Sequence, residues 1–152
     1  MKVKDKEEVL RVFSLHIRQI LERADPDFTR LQEIRLRAGR PLVLVEGGQE
    51  AFLTGDGERT RDFRRAWVVT AQELRETMEF VGKYSLYAYE DELKQGYLTL
   101  RGGHRVGVAG KTVLEGDKVR NIRYISCINV RLSHEIPGCA DPVLPWLYRE
   151  DG

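Results

Sequence analysis

The residues best placed to do chemistry lie in the run Gly102-Gly103-His104-Arg105-Val106-Gly107-Val108-Ala109-Gly110-Lys111-Thr112, which ends in the Gly-Lys-Thr of a phosphate-binding loop. Such a loop needs glycine, four residues, then Gly-Lys-Ser/Thr, so that successive backbone N–H groups curl around phosphate oxygens. Arg105 occupies the first glycine position. The loop must also run into a helix whose N-terminus faces the phosphate, whereas Val113-Leu114-Glu115-Gly116-Asp117-Lys118-Val119 reads as a strand end and a Gly-Asp turn. The run therefore reads as a glycine- and arginine-rich hairpin, and no catalytic residue is expected in this chain.

The arginines remain as candidates for meeting charge on another surface. Arg105, set between Gly103 and Gly107, together with Arg101 and Arg131, could contact phosphate or carboxylate, since a guanidinium pairs with either through a planar fork. Gly107 and Ala109 leave one side of the hairpin open, so a β-branched residue at 107 is expected to disturb packing or docking there. His104 could touch the same anion, but a lone histidine without a paired carboxylate or nucleophile does not make an acid/base site. Arg35 and Arg37 project from one face of a predicted strand with Arg40 in the following turn. They form either a surface network with Glu33 or an interface to a neighbouring domain or subunit. Glu90, Asp91 and Glu92 read as a solvated face or as partners for arginines across an interface. Three consecutive positions cannot converge on one helical face, so no metal site is expected from them. Tyr84, Tyr87, Tyr89 and Tyr97 precede or follow these acids and read as packing residues with polar tips.

These groups must be positioned by a chain of 152 residues, the size of one ordinary domain. Its 25 Lys+Arg against 24 Asp+Glu give a net charge of +1, which does not signal a nonspecific nucleic-acid binder. Cys127 and Cys139 have neither CxxC spacing nor neighbouring histidines, so free thiols are expected rather than a disulfide framework or a zinc site. The charged start, Met1 to Glu8, has no apolar signal core. No apolar run approaches the roughly 20 residues that span a bilayer. A cytoplasmic protein, held at a membrane only through partners, is the expectation.

The apolar spacing of Val9, Phe13, Ile17, Ile20 and Leu21 predicts one amphipathic helix from Glu7 to Ala24. Alternation predicts a strand over Leu31 to Arg37, then strands at Leu42 to Val45 and Ala51 to Leu53 separated by Gly47-Gly48. Thr54 to Arg65 reads as an exposed, mobile connection. Thr70 with Glu73 makes a capping box opening a helix from Ala71 to Val81, and Ser85 to Lys94 reads as a second helix stopped by Gly96. Tyr97 to Arg101, Arg105 to Leu114 and Val119 to Leu132 form an antiparallel meander turning at Gly102-Gly103 and Gly116-Asp117. A closing helix, Asp141 to Tyr148, would turn Val143, Leu144 and Leu147 inward. The fold class is α+β, a helical segment over residues 1–30 followed by a core over 31–152, with an antiparallel (mixed) sheet packed against the N-terminal and central helices.

Three signatures stand in order: Glu33-Ile34-Arg35-Leu36-Arg37-Ala38-Gly39-Arg40-Pro41, Tyr84-Ser85-Leu86-Tyr87-Ala88-Tyr89-Glu90-Asp91-Glu92-Leu93, and Gly96-Tyr97-Leu98-Thr99-Leu100-Arg101-Gly102-Gly103-His104-Arg105-Val106-Gly107. From about Leu31 onward the chain resembles the N-terminal portion of the stage III sporulation protein AA family, which is related to the motor ATPases of type II secretion and type IV pili. The resemblance implies a single accessory domain, similar to the N-terminal domains of secretion ATPases. It would sit before a RecA-like ATPase domain that binds ATP and Mg, in a ring of six subunits. It implies the domain's own C-terminal ATPase domain and other sporulation-channel components as partners, without nucleic acid. The implied place is cytoplasmic, at the mother-cell side of the forespore membranes. The alternative is a free-standing module that recognises nucleic acid or protein through an arginine-bearing sheet.

Overall fold

A computed structural model describes residues 3–85, 89–115 and 118–148. In chain order the elements are α1 (Val3–Leu10), α2 (Leu15–Ala24), β1 (Leu31–Arg37), β2 (Val43–Glu46), β3 (Gln49–Leu53), β4 (Arg59–Thr60), α3 (Ala71–Tyr84), α4 (Tyr89–Gln95), β5 (Tyr97–Thr99), β6 (Arg105–Glu115), β7 (Lys118–Arg131) and α5 (Leu144–Leu147). The seven strands form one sheet in the order β4-β3-β2-β1-β7-β6-β5. Every pairing is antiparallel, so the fold is α+β with no parallel component in the sheet. The expected turn at Gly116-Asp117, and Leu86 and Tyr87 of the expected second helix, lie outside the described residues.

Register aligns the apolar residues into rows across the sheet. Leu44, Ile34, Val130, Val106 and Leu98 lie side by side on successive strands, followed by Leu36, Ile128 and Val108. All are buried in one cluster with Ile17, Ile20 and Leu21 of α2 and Leu74, Met78 and Val81 of α3. The helices thus cover the face of the sheet on which these rows lie.

The single helix expected from Glu7 to Ala24 is two helices. Between Leu10 and Leu15 the chain turns so that Val12 and Phe13 are both fully buried. The carbonyls released by the break are taken up by one guanidinium, as Arg18 donates to Leu10 O at 3.1 Å, Arg11 O at 2.7 Å and Phe13 O at 3.0 Å. The Ser14 N–H goes to Thr77 Oγ1 on α3 at 3.0 Å. Open helix ends need such partners, and here they come from Arg18 folding back and from the distant Thr77, neither of which apolar spacing reveals.

The Thr70–Glu73 capping box is present in both directions. Glu73 does more than cap: its buried carboxylate accepts from Thr70 N–H at 2.9 Å and from Trp67 Nε1–H at 3.1 Å, and it pairs with His16 Nδ1 at 2.9 Å. The His16 ring meets Trp67 edge-on, with centroids 4.4 Å apart. One carboxylate therefore ties α2, α3 and the segment before α3 together.

The segment Thr54 to Arg65 is also more ordered than its composition predicts. Thr54 is buried, and Thr54 N–H donates to Glu58 O at 2.9 Å and Gly57 N–H to Thr54 O at 2.9 Å. A Cβ on Gly57 would stand 2.7 Å from Ala24 N, so the turn is seated on the end of α2. At the C-terminal end the expected closing helix shrinks to Leu144–Leu147, with Val143, Leu144 and Leu147 exposed rather than inward.

Replacing Glu73 with Ala leaves two N–H donors and an imidazole without their acceptor in a water-poor site, and should cost about 2–4 kcal/mol, against about 1 kcal/mol for Thr70→Ala. Urea denaturation of the two variants measures the difference, and equal losses would show that Glu73 only caps its helix.

Candidate functional site

Because side chains alternate across a strand, the same strands that bury apolar rows present the intervening residues on the opposite face. There the register sets out three rows. The first is Thr99, Arg105, Arg131, Glu33, Val45 and Glu50, the second Tyr97, Gly107, Asn129, Arg35, Val43 and Phe52, the third Ala109, Cys127 and Arg37. Arg37, Arg105 and Arg131 are exposed and Val43, Val45 and Phe52 only partly covered, so this face carries no helical layer among the described residues.

Two groups of cations lie on it, separated by an ion-paired network. Arg35 sits in the middle, donating to Glu33 through Nε at 3.0 Å and Nη2 at 3.2 Å and to Glu50 through Nη1 at 2.7 Å. Hydrogen bonding to Glu33 and then Glu50 raises the Arg35 pKa above its already high ordinary value. The network expected between Arg35 and Glu33 is therefore present. It consumes the acids of the face: among the described residues no carboxylate lies within ion-pair distance of Arg37, Arg40, Arg105 or Arg131.

Arg105 and Arg131 are direct cross-strand partners, one on β6 and one on β7. With Gly103, Leu132 and Ser133 they line a shallow hollow of about 300 Å³, and the Arg105 guanidinium lies 5.3 Å from the Tyr97 ring centre. The hairpin turn behind them uses Gly102 and Gly103 at φ +90° and +81°, a backbone region that favours glycine. Gly107 in the next row has room for more, since an added Cβ would meet Asn129 O at 3.9 Å, an ordinary contact. A side chain at 107 therefore meets no close contact at its Cβ, and the disturbance expected of a β-branched residue there falls on docking rather than on packing at that atom.

The other sequence candidates lie elsewhere. His104 is buried, with its Nδ1 accepting from Ser133 N–H at 3.0 Å, so it fixes the turn. Arg101 reaches Glu8 of α1 at 3.5 Å rather than joining Arg105 and Arg131. In α4, Glu92 accepts from Thr99 N–H at 3.2 Å and holds the start of the meander, while Glu90 and Asp91 are exposed. Arg37 and Arg40 border a second hollow of about 380 Å³ with Arg35, Pro41, Val43, Phe52 and Phe63. Phe63 was not singled out from sequence; its signal was a large aromatic standing among Gly, Asp and Arg in a connecting segment.

Gly110, Lys111 and Thr112 lie inside strand β6, so their backbone N–H groups cannot curl around a phosphate and no helix follows them there. Among the described residues no three His, Cys, Asp or Glu are placed to hold a metal ion, and no helix is long and apolar enough to cross a membrane.

Residues 3–151, nearly the whole chain, match the family described as sporulation stage III, protein AA. The chain belongs to that sporulation family. The match takes in the N-terminal helices as well as the portion from Leu31 that carries the three signatures. The chain is 35% identical over 125 residues to stage III sporulation protein AA of Bacillus subtilis (strain 168), an alignment covering 82% of this chain and 37% of that protein. This stage III sporulation protein AA relative is thus covered over well under half its length. No solved structure matches the chain.

The Arg105–Arg131 pair places like charges directly opposite one another, which is unfavourable for a sheet. Glu33 flanks Arg131 on its other side and offsets that cost, so Arg131→Gln should shift thermal stability by no more than about 0.5 kcal/mol either way. A melting curve decides: a marked loss would mean that Arg131 holds the fold and is not kept for contact with another surface.

Proposed function

We propose that this chain is the non-catalytic N-terminal domain of a secretion-type ATPase serving the sporulation channel. In this reading it helps to assemble a six-membered ring and couples ATP hydrolysis in a C-terminal domain to transport between mother cell and forespore. Family membership supports the sporulation role, and the relative's greater length leaves room for such a domain. The observation that carries the reading is the Arg105–Arg131 pair, two exposed guanidiniums on paired strand positions with no ion-paired acid among the described residues. Such a pair is stable next to an external anion.

ATP and magnesium would belong to the ATPase domain, because this chain has a strand where a phosphate loop would have to be. What the chain supplies is two exposed cations on paired strands, able to meet phosphate or carboxylate charge when a ring brings domains together. Arg35, Arg37, Arg40 and the exposed Glu90 and Asp91 would serve contacts between domains or subunits, Glu92 being engaged with Thr99. The working position would be cytoplasmic, peripheral to the forespore membranes on the mother-cell side, alongside other channel components.

In the longer protein, Arg105→Ala should lower ATP turnover by roughly 10-fold or more if the guanidinium faces transition-state charge. A rim salt bridge alone would be worth only about 0–1 kcal/mol. Turnover and hexamer content measured in the same preparations separate the cases. Reduced turnover in intact rings supports a phosphate-facing role, loss of rings supports an interface role, and wild-type values for both would remove Arg105 from the account.

A further inference from the structure

We infer that the hollow between the β1–β2 turn, β3 and the segment before Trp67 is a docking site for a protein segment presenting one carboxylate beside an aromatic or aliphatic side chain. Its cations are Arg37 and Arg40, both exposed and, among the described residues, without an acidic partner. Its floor is apolar, formed by Pro41, Val43 and Phe52, and its wall is Phe63, 66% exposed. A large aromatic left in water beside two uncompensated guanidiniums is a surface that gains from being covered.

The site is held in shape before anything binds. Gly39, at φ +71°, makes the turn, and Gly39 N–H donates to Val69 O at 2.8 Å while Val69 N–H donates back to Arg40 O at 2.9 Å. Leu42 N–H donates to Trp67 O at 2.9 Å, and Trp67 is itself anchored on Glu73. On the Phe63 side, the Asp62 carboxylate accepts from Arg64 N–H at 3.0 Å and Arg64 Nε–H at 3.1 Å, contacts that lower its pKa from the ordinary carboxylate value. Binding would cost little ordering of the backbone, which favours affinity.

Charge and donor geometry select the occupant. Arg35, bound by both Glu33 and Glu50, carries with them one net negative charge, and Arg37 and Arg40 add two positive charges, so these five groups leave one positive charge in excess. One carboxylate balances that excess, whereas a dianionic phosphate or a polyanion would meet Glu33 and Glu50 as well. Phosphate sites also draw on successive backbone N–H groups. Here those donors are spent, Ala38 N–H on Ser126 O, Gly39 N–H on Val69 O and Arg40 N–H on Arg37 O. What remains is a pair of planar forks, suited to a carboxylate, above an apolar floor suited to its neighbour. This deepens the interface role proposed for Arg37 and Arg40, yet it involves neither Arg105 nor ATP turnover, so the two can fail separately.

The test is an NMR titration of the 152-residue chain with 3-phenylpropionate, with acetate, benzyl alcohol and phenyl phosphate as comparators. Saturable shifts are expected at the Arg37 and Arg40 Nε–H groups and the Phe63 ring, with acetate and benzyl alcohol each weaker by about 5-fold or more, because each lacks half of the match. Arg37→Gln with Arg40→Gln should abolish the shifts, and Phe63→Ala should weaken binding; the same spectra report whether each variant is folded. No saturable response to 3-phenylpropionate, a response that survives loss of both arginines, or tighter binding of phenyl phosphate would each overturn the assignment.

Discussion

A sheet that, among the described residues, is covered by helices on one face only is the constraint from which the rest follows. Side chains alternate along every strand, so the rows that bury Leu44, Ile34, Val130, Val106 and Leu98 against the helices commit Val45, Glu33, Arg131 and Arg105 to the other side. The open face is the necessary partner of the core, and its register is as fixed as the core's. That is how arginines from β1, β6 and β7, distant in sequence, come to stand at defined spacings on one surface.

The acids on this face are unevenly shared. Glu33 and Glu50 are both committed to Arg35, which leaves Arg105 and Arg131 on one side, and Arg37 and Arg40 on the other, without an ion-paired acid among the described residues. From Glu33 to Arg37 is four residues of strand, roughly 13 Å, so the two cationic groups are separate places rather than one diffuse patch. Glu73 contributes at a distance: by holding Trp67 it fixes the segment that clamps the turn bearing Arg40.

Much of this was legible in the sequence where the cause is local. Leu31 to Arg37 alternates, and β1 has those bounds; Thr70 and Glu73 form the box that their spacing announces; Gly102-Gly103 turns the hairpin as expected. The break between α1 and α2 was not legible, because it depends on Arg18 folding back over three carbonyls and on Thr77, 63 positions from Ser14. The His16–Glu73 contact and the place of Phe63 in a hollow are likewise tertiary, set by which elements meet. At Val143, Leu144 and Leu147 the local pattern misled: their spacing suits a helix with an inward face, but among the described residues the short α5 leaves them exposed. His104 and Arg105 are adjacent in sequence, yet alternation sends one into the domain and the other out of it.

In the proposed role, the open face of the sheet becomes covered when this chain works as a domain of a longer protein. Cys127 is a native reporter, lying on that face between Ala109 and Arg37 in register, and Cys139 is an exposed reference outside the sheet. The most direct measurement is the rate of thiol modification at Cys127, read by peptide mass spectrometry, in this chain alone and in a longer protein carrying the proposed ATPase domain, under conditions chosen to favour assembly. Much slower modification of Cys127 in the assembled protein is the predicted result, and equal rates in the two would contradict the account.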